Sequence, residues 1–249
     1  MKLIDRMKSS RENGLLVGGH RGHQCEIREN TLANFKTIDQ SKIHYIEIDV
    51  QLTKDGEVVI FHDHDLSLKT DLKGMIRDYT LEELKASFEL TTLEEAVSWC
   101  KNNDMGIAFE LKIQTITMRE DRKAISKKLV EIIKKYDFFD MCFVFGKDYE
   151  MLTDIKKMET KICLGLIVPF VPQDPVKLMK DMDALIYLNF VEGLSKELVD
   201  KLHAAGYLVD ASVVNSRESL KKALVLGADL IESDYPEMII KFLEEEYES

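Results

Sequence analysis

Short apolar runs alternate with longer amphipathic segments along almost the entire chain of 249 residues. The short runs are rich in β-branched and aromatic residues, whereas the apolar residues of the longer segments recur at helical spacing. This alternation is typical of successive strand–helix units that build a parallel sheet. The pattern predicts strands at 14–20, 45–52, 105–112, 141–146, 161–168, 184–189, 207–214 and 229–233, and helices at 31–41, 92–102, 118–136, 148–158, 175–181, 195–205, 216–226 and 236–246.

Eight predicted strands and eight predicted helices in a chain of this length favour a (β/α)8 TIM barrel. A doubly wound sheet is the structural alternative, but no GxGxxG motif follows the first predicted strand. The sequence contains no low-complexity segment and no linker rich in proline or glycine. We therefore expect an α/β protein in which residues 1–249 form one barrel domain.

One stretch interrupts the strand–helix rhythm. After the second predicted strand the sequence TKDGEVVIFHD turns back at Asp55-Gly56, and a further apolar run ends at His62. Residues 63–91 are then mostly polar, with one short helix at most. We expect a small insertion at the barrel mouth that either shapes specificity or forms a homodimer contact, and the sequence favours neither.

Composition and charge exclude several classes of protein. The net charge of −11 argues against a nucleic-acid partner, because phosphate binding requires clustered Lys and Arg side chains. No sustained apolar stretch follows the first charges, and no run of about 18 uncharged apolar residues occurs, so neither a signal peptide nor a transmembrane segment is expected. The four cysteines are scattered without a CxxC pair, which predicts reduced thiols in a cytoplasmic protein.

Ionisable side chains concentrate where the predicted strands end, the face on which barrel enzymes carry their active sites. Glu47 and Asp49 lie two positions apart on the second strand and therefore share a face, toward the barrel axis, while Glu110 closes the third strand. Carboxylates packed together there require raised pKa values or a cation. Three oxygen ligands from adjacent strands predict a hard cation, Mg²⁺ or Ca²⁺.

The charges of this predicted cluster suit a phosphodiester. Glu47, Asp49 and Glu110 carry three negative charges. Arg21 and Lys112 carry two positive charges, which leaves the cluster without metal one unit negative. A divalent cation makes it one unit positive, which complements a phosphodiester monoanion. We therefore expect activity to require the metal.

Two histidines stand at neighbouring strand ends. His20 closes the first predicted strand and His62 closes the hairpin run. Near neutral pH one imidazole accepts a proton while the other donates one, as the cleavage of a P–O bond requires. The alternatives are a structural role for each histidine and, for Glu47 and Asp49, ion pairs with lysines on the surrounding helices.

Taken together, several ordered motifs resemble the glycerophosphodiester phosphodiesterase family between about residues 15 and 240. The resemblance implies a TIM barrel with an insertion after strand two. It also implies a reaction in which the glycerol hydroxyl of the substrate attacks phosphorus, expels the alcohol and leaves a cyclic phosphate that water opens. The motifs are His20-Arg21-Gly22, Glu29-Asn30-Thr31, the EIDVQLTKDG run, Phe61-His62-Asp63, Glu110-Leu111-Lys112 and the late GADLIESDYP.

The resemblance implies roles for individual residues as well. The chain departs from the family at Ser212, where the family often has a tryptophan, and this removes an aromatic wall beside the glycerol moiety. The implied site residues are Glu47, Asp49 and Glu110 for the metal, His20 and His62 for acid and base catalysis, Arg21 and Lys112 for phosphate contacts, and Glu29 for support of the site.

The expected function is that of a cytoplasmic, metal-dependent phosphodiesterase. Its expected substrates are small glycerophosphodiesters, which it converts to glycerol 3-phosphate and an alcohol. One alternative enzyme acts on lysophospholipids as a lysophospholipase D, or stops at the cyclic phosphate as sphingomyelinase D-like relatives do. The alternative from another class is a non-catalytic binding barrel.

Overall fold

A β/α barrel forms the body of the protein in the computed structural model, which describes residues 1–112 and 121–248. The chain enters through two short helices, and from there strands and helices alternate except where a second strand follows the strand Tyr45–Leu52 directly, as an antiparallel hairpin. In chain order the elements are α1 Leu3–Lys8, α2 Ser10–Asn13, β1 Leu16–Gly19, α3 Leu32–Phe35, β2 Tyr45–Leu52, β3 Val58–Ile60, α4 Leu81–Ser87, β4 Thr91–Thr92, α5 Leu93–Asn102, β5 Gly106–Leu111, α6 Asp121–Lys135, β6 Cys142–Gly146, α7 Tyr149–Met158, β7 Cys163–Ile167, α8 Pro175–Asp181, β8 Ile186–Asn189, α9 Lys196–Ala204, β9 Leu208–Ala211, α10 Arg217–Leu226, β10 Leu230–Ser233 and α11 Pro236–Glu248.

Eight parallel strands close the barrel within the described part of the chain. β1 pairs with β10 on one side, where Val17 lies opposite Ile231, and with β2 on the other, where Gly19 lies opposite Ile46. β5 follows β2, and β6 to β10 then run around the barrel in chain order. Each strand predicted from the sequence corresponds to one barrel strand, and the prediction of a TIM barrel is confirmed.

The face of β2 that points toward the barrel axis is polar, whereas its opposite face is apolar. Ile46, Ile48 and Val50 are completely buried on one face of the strand. Glu47 and Asp49 alternate with them and are equally buried. Two carboxylates with no solvent exposure are costly in a protein interior, so their positions indicate chemistry rather than stability.

The helix predicted over 31–41 is wrong in its second half, because α3 ends at Phe35. Beyond it the Asp39 side chain accepts hydrogen bonds from the backbone N–H and the hydroxyl of Ser41, at 3.0 and 2.6 Å. Such side-chain bonds compete with helical hydrogen bonding and favour a turn. The helix predicted over 118–136 is observed from Asp121, and its first predicted residues lie outside the described ranges.

The sequence pattern did not predict α1 and α2. α1 buries Leu3 and Met7 against the amino-terminal end of the barrel. Gly106, the first residue of β5, makes this approach possible, since a Cβ there would lie 2.7 Å from Leu3 Cδ2. No helix in the described ranges is both long enough and apolar enough to cross a membrane.

The segment 63–91 contains more structure than the one short helix expected. β3 runs antiparallel to β2, and β4 runs antiparallel to β3. Between β3 and β4 the chain forms two turns of 3₁₀ helix, at Leu66–Leu68 and Ile76–Asp78, before α4. Its apolar residues are too widely spaced to show a period, yet they pack with Val59 and Phe61, which precede the segment, into a separate small core. The core residues are Val59, Phe61, Leu66, Ile76, Leu84 and Leu90.

Candidate active site

The loop after β1 places the backbone of Arg21 against a buried carboxylate. Arg21 adopts a left-handed φ of 56°, which residues other than glycine rarely do. In that conformation its N–H donates a hydrogen bond to Glu47 Oε2 at 3.0 Å. Gly22 follows with a φ of 98°, and a Cβ on it would lie 2.1 Å from Asn34 Oδ1. The loop therefore requires glycine at position 22 to hold Arg21 in place.

Three carboxylates form the centre of the site. Ligand oxygens of Glu47, Asp49 and Glu110 all lie within 4.8 Å of one another. Asn30 Nδ2 donates to Asp49 Oδ2 at 2.8 Å, whereas Glu47 Oε1 is buried without a hydrogen-bond partner among the described residues. Burial, together with repulsion from Asp49 and Glu110, raises the pKa of Glu47 well above its usual value. This geometry and the unpaired oxygen suit a bound divalent cation.

Two basic side chains border the carboxylates. Lys112 Nζ lies 3.2 Å from Asp49 Oδ1 and 2.9 Å from Glu110 Oε2. Burial works against the charge of Lys112, but the two carboxylates outweigh it and raise the pKa of the ammonium above its usual value. Arg21 Nε lies 3.5 Å from Asp49 Oδ2. Both cations remain charged at neutral pH and line the same cavity.

His20 is held by a carboxylate that sequence reasoning missed. His20 Nδ1 lies 2.6 Å from Asp234 Oδ1, and Asn215 Nδ2 donates to Asp234 Oδ2 at 2.6 Å. The bond to His20 lowers the pKa of Asp234, so its carboxylate is ionised at neutral pH. His20 Nε2 lies 4.0 Å from Glu47 Oε2. Asp234 belongs to the late GADLIESDYP stretch, which carried the resemblance but no assigned role.

His62 forms a second histidine–aspartate pair, connected to the cluster through Glu29. His62 Nδ1 lies 2.8 Å from Asp63 Oδ1, and potential ligand atoms of Glu29, His62 and Asp63 lie within 4.8 Å of one another. Glu29 Oε1 also accepts a hydrogen bond from Arg21 Nη1 at 3.3 Å. Glu29 thus joins the His62 pair to Arg21. All eight site residues expected from the sequence lie in one connected network.

A cavity of about 220 Å³ opens beside this network. His20, Arg21 and Lys112 line it together with the apolar side chains of Leu188 and Phe190. A larger cavity of about 680 Å³ lies at the opposite end of the barrel, where the strands begin, and none of the site residues line it. The smaller cavity is therefore the candidate substrate site, since barrel enzymes bind substrate where the strands end.

Two further buried carboxyl groups, Asp210 and Glu232, were missed in the sequence. Glu232 lines the small cavity, and Asp210 accepts a hydrogen bond from the Ser212 hydroxyl. Burial raises the pKa of Asp210 to about 7. Burial and repulsion from Asp210 raise the pKa of Glu232 well above its usual value. The net charge of the site predicted from the sequence did not include Asp210 and Glu232. That net charge is correct only while both carboxyl groups are protonated.

Three exposed apolar side chains, the apolar rim, follow strands β7 and β8, whose last residues line the cavity. Phe170 and Val171, in the loop after β7, are 85% and 59% exposed, and Phe190, directly after β8, is 64% exposed. Phe190 also lines the cavity itself. Large apolar side chains with this exposure gain nothing from folding, so their position directly after strands that line the cavity indicates contact with another apolar group.

Comparison with known proteins identifies the family. The sequence profile of the glycerophosphoryl diester phosphodiesterase family matches residues 20–238. The chain belongs to this family. A glycerophosphodiester phosphodiesterase of Bacillus altitudinis is 30% identical over 243 residues, covering 92% of this chain and 98% of the relative. The prediction of an enzyme that hydrolyses phosphodiesters is confirmed.

The names of two other relatives of this phosphodiesterase describe different ligands or activities. A phosphodiesterase of Oleispira antarctica, solved in complex with the product sn-glycerol-3-phosphate, is 29% identical with a TM-score of 0.85, covering 92% of this chain and 96% of that one. Lysophospholipase D GDPD1 of Homo sapiens is 26% identical over 267 residues, covering 90% of this chain and 84% of the relative. One of these names describes a complex with glycerol 3-phosphate, and the other describes a lysophospholipase D.

Proposed function

We propose that this phosphodiesterase hydrolyses small glycerophosphodiesters to glycerol 3-phosphate and an alcohol, with one divalent cation and two catalytic histidines. The observation that carries the proposal is the convergence of Glu47, Asp49 and Glu110 with Arg21 and Lys112. Three of these side chains, Arg21, Glu110 and Lys112, line one cavity. The glycerol 3-phosphate bound to the Oleispira antarctica relative supports the assignment of the product.

The proposed metal ligands are Glu47, Asp49 and Glu110. Mg²⁺ and Ca²⁺ both accept a set of carboxylate oxygens. The bound cation would polarise the phosphoryl oxygens and withdraw charge from them. It would also offset the repulsion among the three carboxylates and give the site the positive charge that a phosphodiester monoanion requires.

The remaining side chains bind the diester and move protons. Arg21 and Lys112 contact the phosphate, and Glu29 holds the guanidinium of Arg21 in position. One of His20 and His62 takes the proton from the attacking glycerol hydroxyl as the new P–O bond forms. The other gives a proton to the leaving alcohol as the old P–O bond breaks. Water then opens the cyclic phosphate with the roles reversed.

Aspartate partners fit both histidines to this work. Each Nδ1 faces a carboxylate, Asp234 or Asp63, which favours the tautomer with its proton on Nδ1. The Nε2 atom of each ring is then free to accept or donate a proton. The same partners stabilise each imidazolium when it forms.

The first test measures release of glycerol 3-phosphate from glycerophosphocholine and glycerophosphoethanolamine. We expect release to stop after chelation and to return with Mg²⁺ or Ca²⁺. His20→Ala and His62→Ala should each lower the rate by about 10²- to 10⁴-fold. If His20→Ala and His62→Ala instead keep full activity, or if chelation changes nothing, the proposed mechanism is wrong. If no ion restores release of glycerol 3-phosphate by the wild-type enzyme, the proposed substrate class is wrong.

The apolar rim favours a second candidate substrate, a lysophospholipid whose acyl chain would lie on Phe170, Val171 and Phe190. Phe170→Ser combined with Val171→Ser should then lower the rate on lysophosphatidylcholine about tenfold and leave glycerophosphocholine unaffected. Val225→Ser is the matched control, because Val225 is 74% exposed on α10 and does not belong to the rim. Equal rates for wild type and the double variant on lysophosphatidylcholine would exclude this candidate.

We also propose a cytoplasmic location. None of the four cysteines forms a disulfide within the described residues, and Cys100 and Cys142 are buried. Reduced thiols of this kind are typical of proteins in a reducing compartment. Mass spectrometry of protein alkylated in denaturant, before any reductant is added, should find all four thiols modified.

A further inference from the structure

Glu232 is a buried carboxyl group at the wall of the candidate substrate cavity. It lies on β10, is 3% exposed, and lines the cavity together with Ser212 and Asn189. Its backbone N–H donates to Ser212 Oγ at 2.7 Å, but its side-chain Oε1 has no hydrogen-bond partner in the described ranges. A buried oxygen without a partner costs about 1–3 kcal/mol, so the fold keeps Glu232 at the expense of stability.

No basic side chain in the described part of the chain forms an ion pair with Glu232. Arg21 and Lys112 face the same cavity but contact Asp49, Glu29 and Glu110 instead. Asp210, the acidic neighbour of Glu232, likewise has an unpaired oxygen, Oδ2. Glu232 is therefore available to a ligand, and its natural complement is a group that both donates and accepts a hydrogen bond.

The shape of the cavity indicates which part of the substrate this is. The cavity of about 220 Å³ is lined by Glu232 as well as by Arg21 and Lys112, the proposed phosphate contacts. A diester that contacts Arg21 and Lys112 from this cavity has to place at least one of its two arms in the space that Glu232 also lines. In glycerophosphocholine only the glycerol arm carries hydrogen-bond donors. An ammonium group would fit less well, because its desolvation in a site of this depth is costly and it cannot accept a hydrogen bond.

We propose that Glu232 binds the free terminal hydroxyl of the substrate glycerol and thereby determines specificity for glycerophosphodiesters. This inference rests on the proposed function. The hydroxyl satisfies the unpaired carboxyl group on binding, whereas a substrate that lacks it leaves that group buried and unpaired. Sites built in this way discriminate strongly against analogues without the hydroxyl. An acyl chain on the same hydroxyl would remove the donor, so Glu232 also disfavours lysophospholipids.

The experiment compares glycerophosphocholine with its analogue made from propane-1,2-diol, which lacks only the terminal hydroxyl and keeps the attacking one. Wild type should lose about 10- to 100-fold in kcat/KM on the analogue. Glu232→Leu should lose a similar factor on glycerophosphocholine but nothing further on the analogue. Glu232→Gln, which still accepts and donates hydrogen bonds, should recover most of the discrimination.

Asp210→Asn is the matched control. The substitution changes a buried carboxyl group that also has an unpaired oxygen but does not line the cavity. The Asp210→Asn enzyme should therefore discriminate between the two substrates as the wild type does. Circular dichroism and a thermal unfolding curve establish that each variant is folded, and Glu232→Gln keeps the test valid if Glu232→Leu does not fold. Additive losses for Glu232→Leu and the analogue would overturn the inference.

The remaining outcomes separate this inference from the proposed function. If wild type is active on glycerophosphocholine but treats the two substrates equally, the assignment of Glu232 is wrong and the proposed function stands. If Glu232 variants lose activity on glycerophosphoethanolamine alone, the carboxyl group binds an ammonium and the hydroxyl assignment is overturned. If wild type cleaves neither substrate with either ion, the proposed function itself is wrong.

Discussion

Asp234→Asn tests how His20 is oriented. Asn215 cannot rotate, because its Oδ1 already accepts from Ser233 Oγ at 3.0 Å and from the backbone N–H of Asp234 at 2.9 Å. Its Nδ2 therefore always points at the side chain of residue 234. The oxygen of an asparagine side chain at position 234 can accept from only one of two donors, Asn215 Nδ2 or His20 Nδ1. Its amino group then faces the other donor.

Either arrangement damages the site. With the oxygen toward Asn215, the amino group faces His20 Nδ1 and forces the ring proton onto Nε2, where a proton should be accepted. With the oxygen toward His20, two amino groups face each other. Loss of acid or base function costs about 10²- to 10⁴-fold, equivalent to about 3–5 kcal/mol in the barrier. We expect kcat/KM for glycerophosphocholine, measured by glycerol 3-phosphate release, to fall by that factor.

Two further variants make the test specific. Asp174→Asn changes a carboxylate that caps α8 by accepting from Lys177 N at 3.1 Å. The amide oxygen of asparagine can accept the same bond, so this variant should keep nearly all of its stability and stay within about twofold of the wild-type rate. Combining Asn215→Ala with Asp234→Asn frees the amide to turn its oxygen to His20, and we expect it to recover at least part of the lost rate. An Asp234→Asn enzyme that is folded and within about threefold of wild type would refute the reasoning.

Three other predictions concern the loop, the buried carboxyl groups and the metal site. Gly22→Ala should lower the free energy of unfolding in urea by about 1–3 kcal/mol, because residue 22 has a φ of 98° and its new Cβ would clash with Asn34. Gly56→Ala should lower the free energy of unfolding by less, since its φ is 82° but its Cβ would meet no other atom. Burial raises the pKa of Asp210 from 3.8 to about 7. The folded protein therefore holds the proton more tightly than the unfolded chain, and protonated Asp210 stabilises the fold at low pH. This contribution, about 4 kcal/mol, is lost as the pH rises from about 4 to about 7. Asp210→Asn should flatten that decline in unfolding free energy, and an unchanged pH profile would contradict the assignment. Glu47→Gln should raise the unfolding free energy of the metal-free protein, because it relieves repulsion from Asp49 and Glu110. The same variant should bind Mg²⁺ or Ca²⁺ at least about tenfold more weakly in calorimetry. Undiminished binding would exclude Glu47 as a ligand.

The order of strands and helices followed from local pattern alone. Each barrel strand is a short apolar run between amphipathic segments, and period-two alternation was enough to put Glu47 and Asp49 on one face of β2. The sequence likewise determined that the carboxylates and cations gather at one end of the barrel, because residues closing parallel strands share an end. It did not predict α1, the true length of α3 or the small core of the insertion, since these depend on packing rather than on a period.

Only the tertiary structure decided which distant residues complete the site. Asp234 lies 214 positions from His20 in the chain, yet the pairing of β1 with β10 brings the ends of both strands together. The same closure sets Glu232 opposite Gly18 and places its carboxyl group in the cavity wall. Side-chain alternation along a strand is a local property that a sequence displays directly. Register between the first and last strands arises only when the barrel closes, and no local pattern carries it.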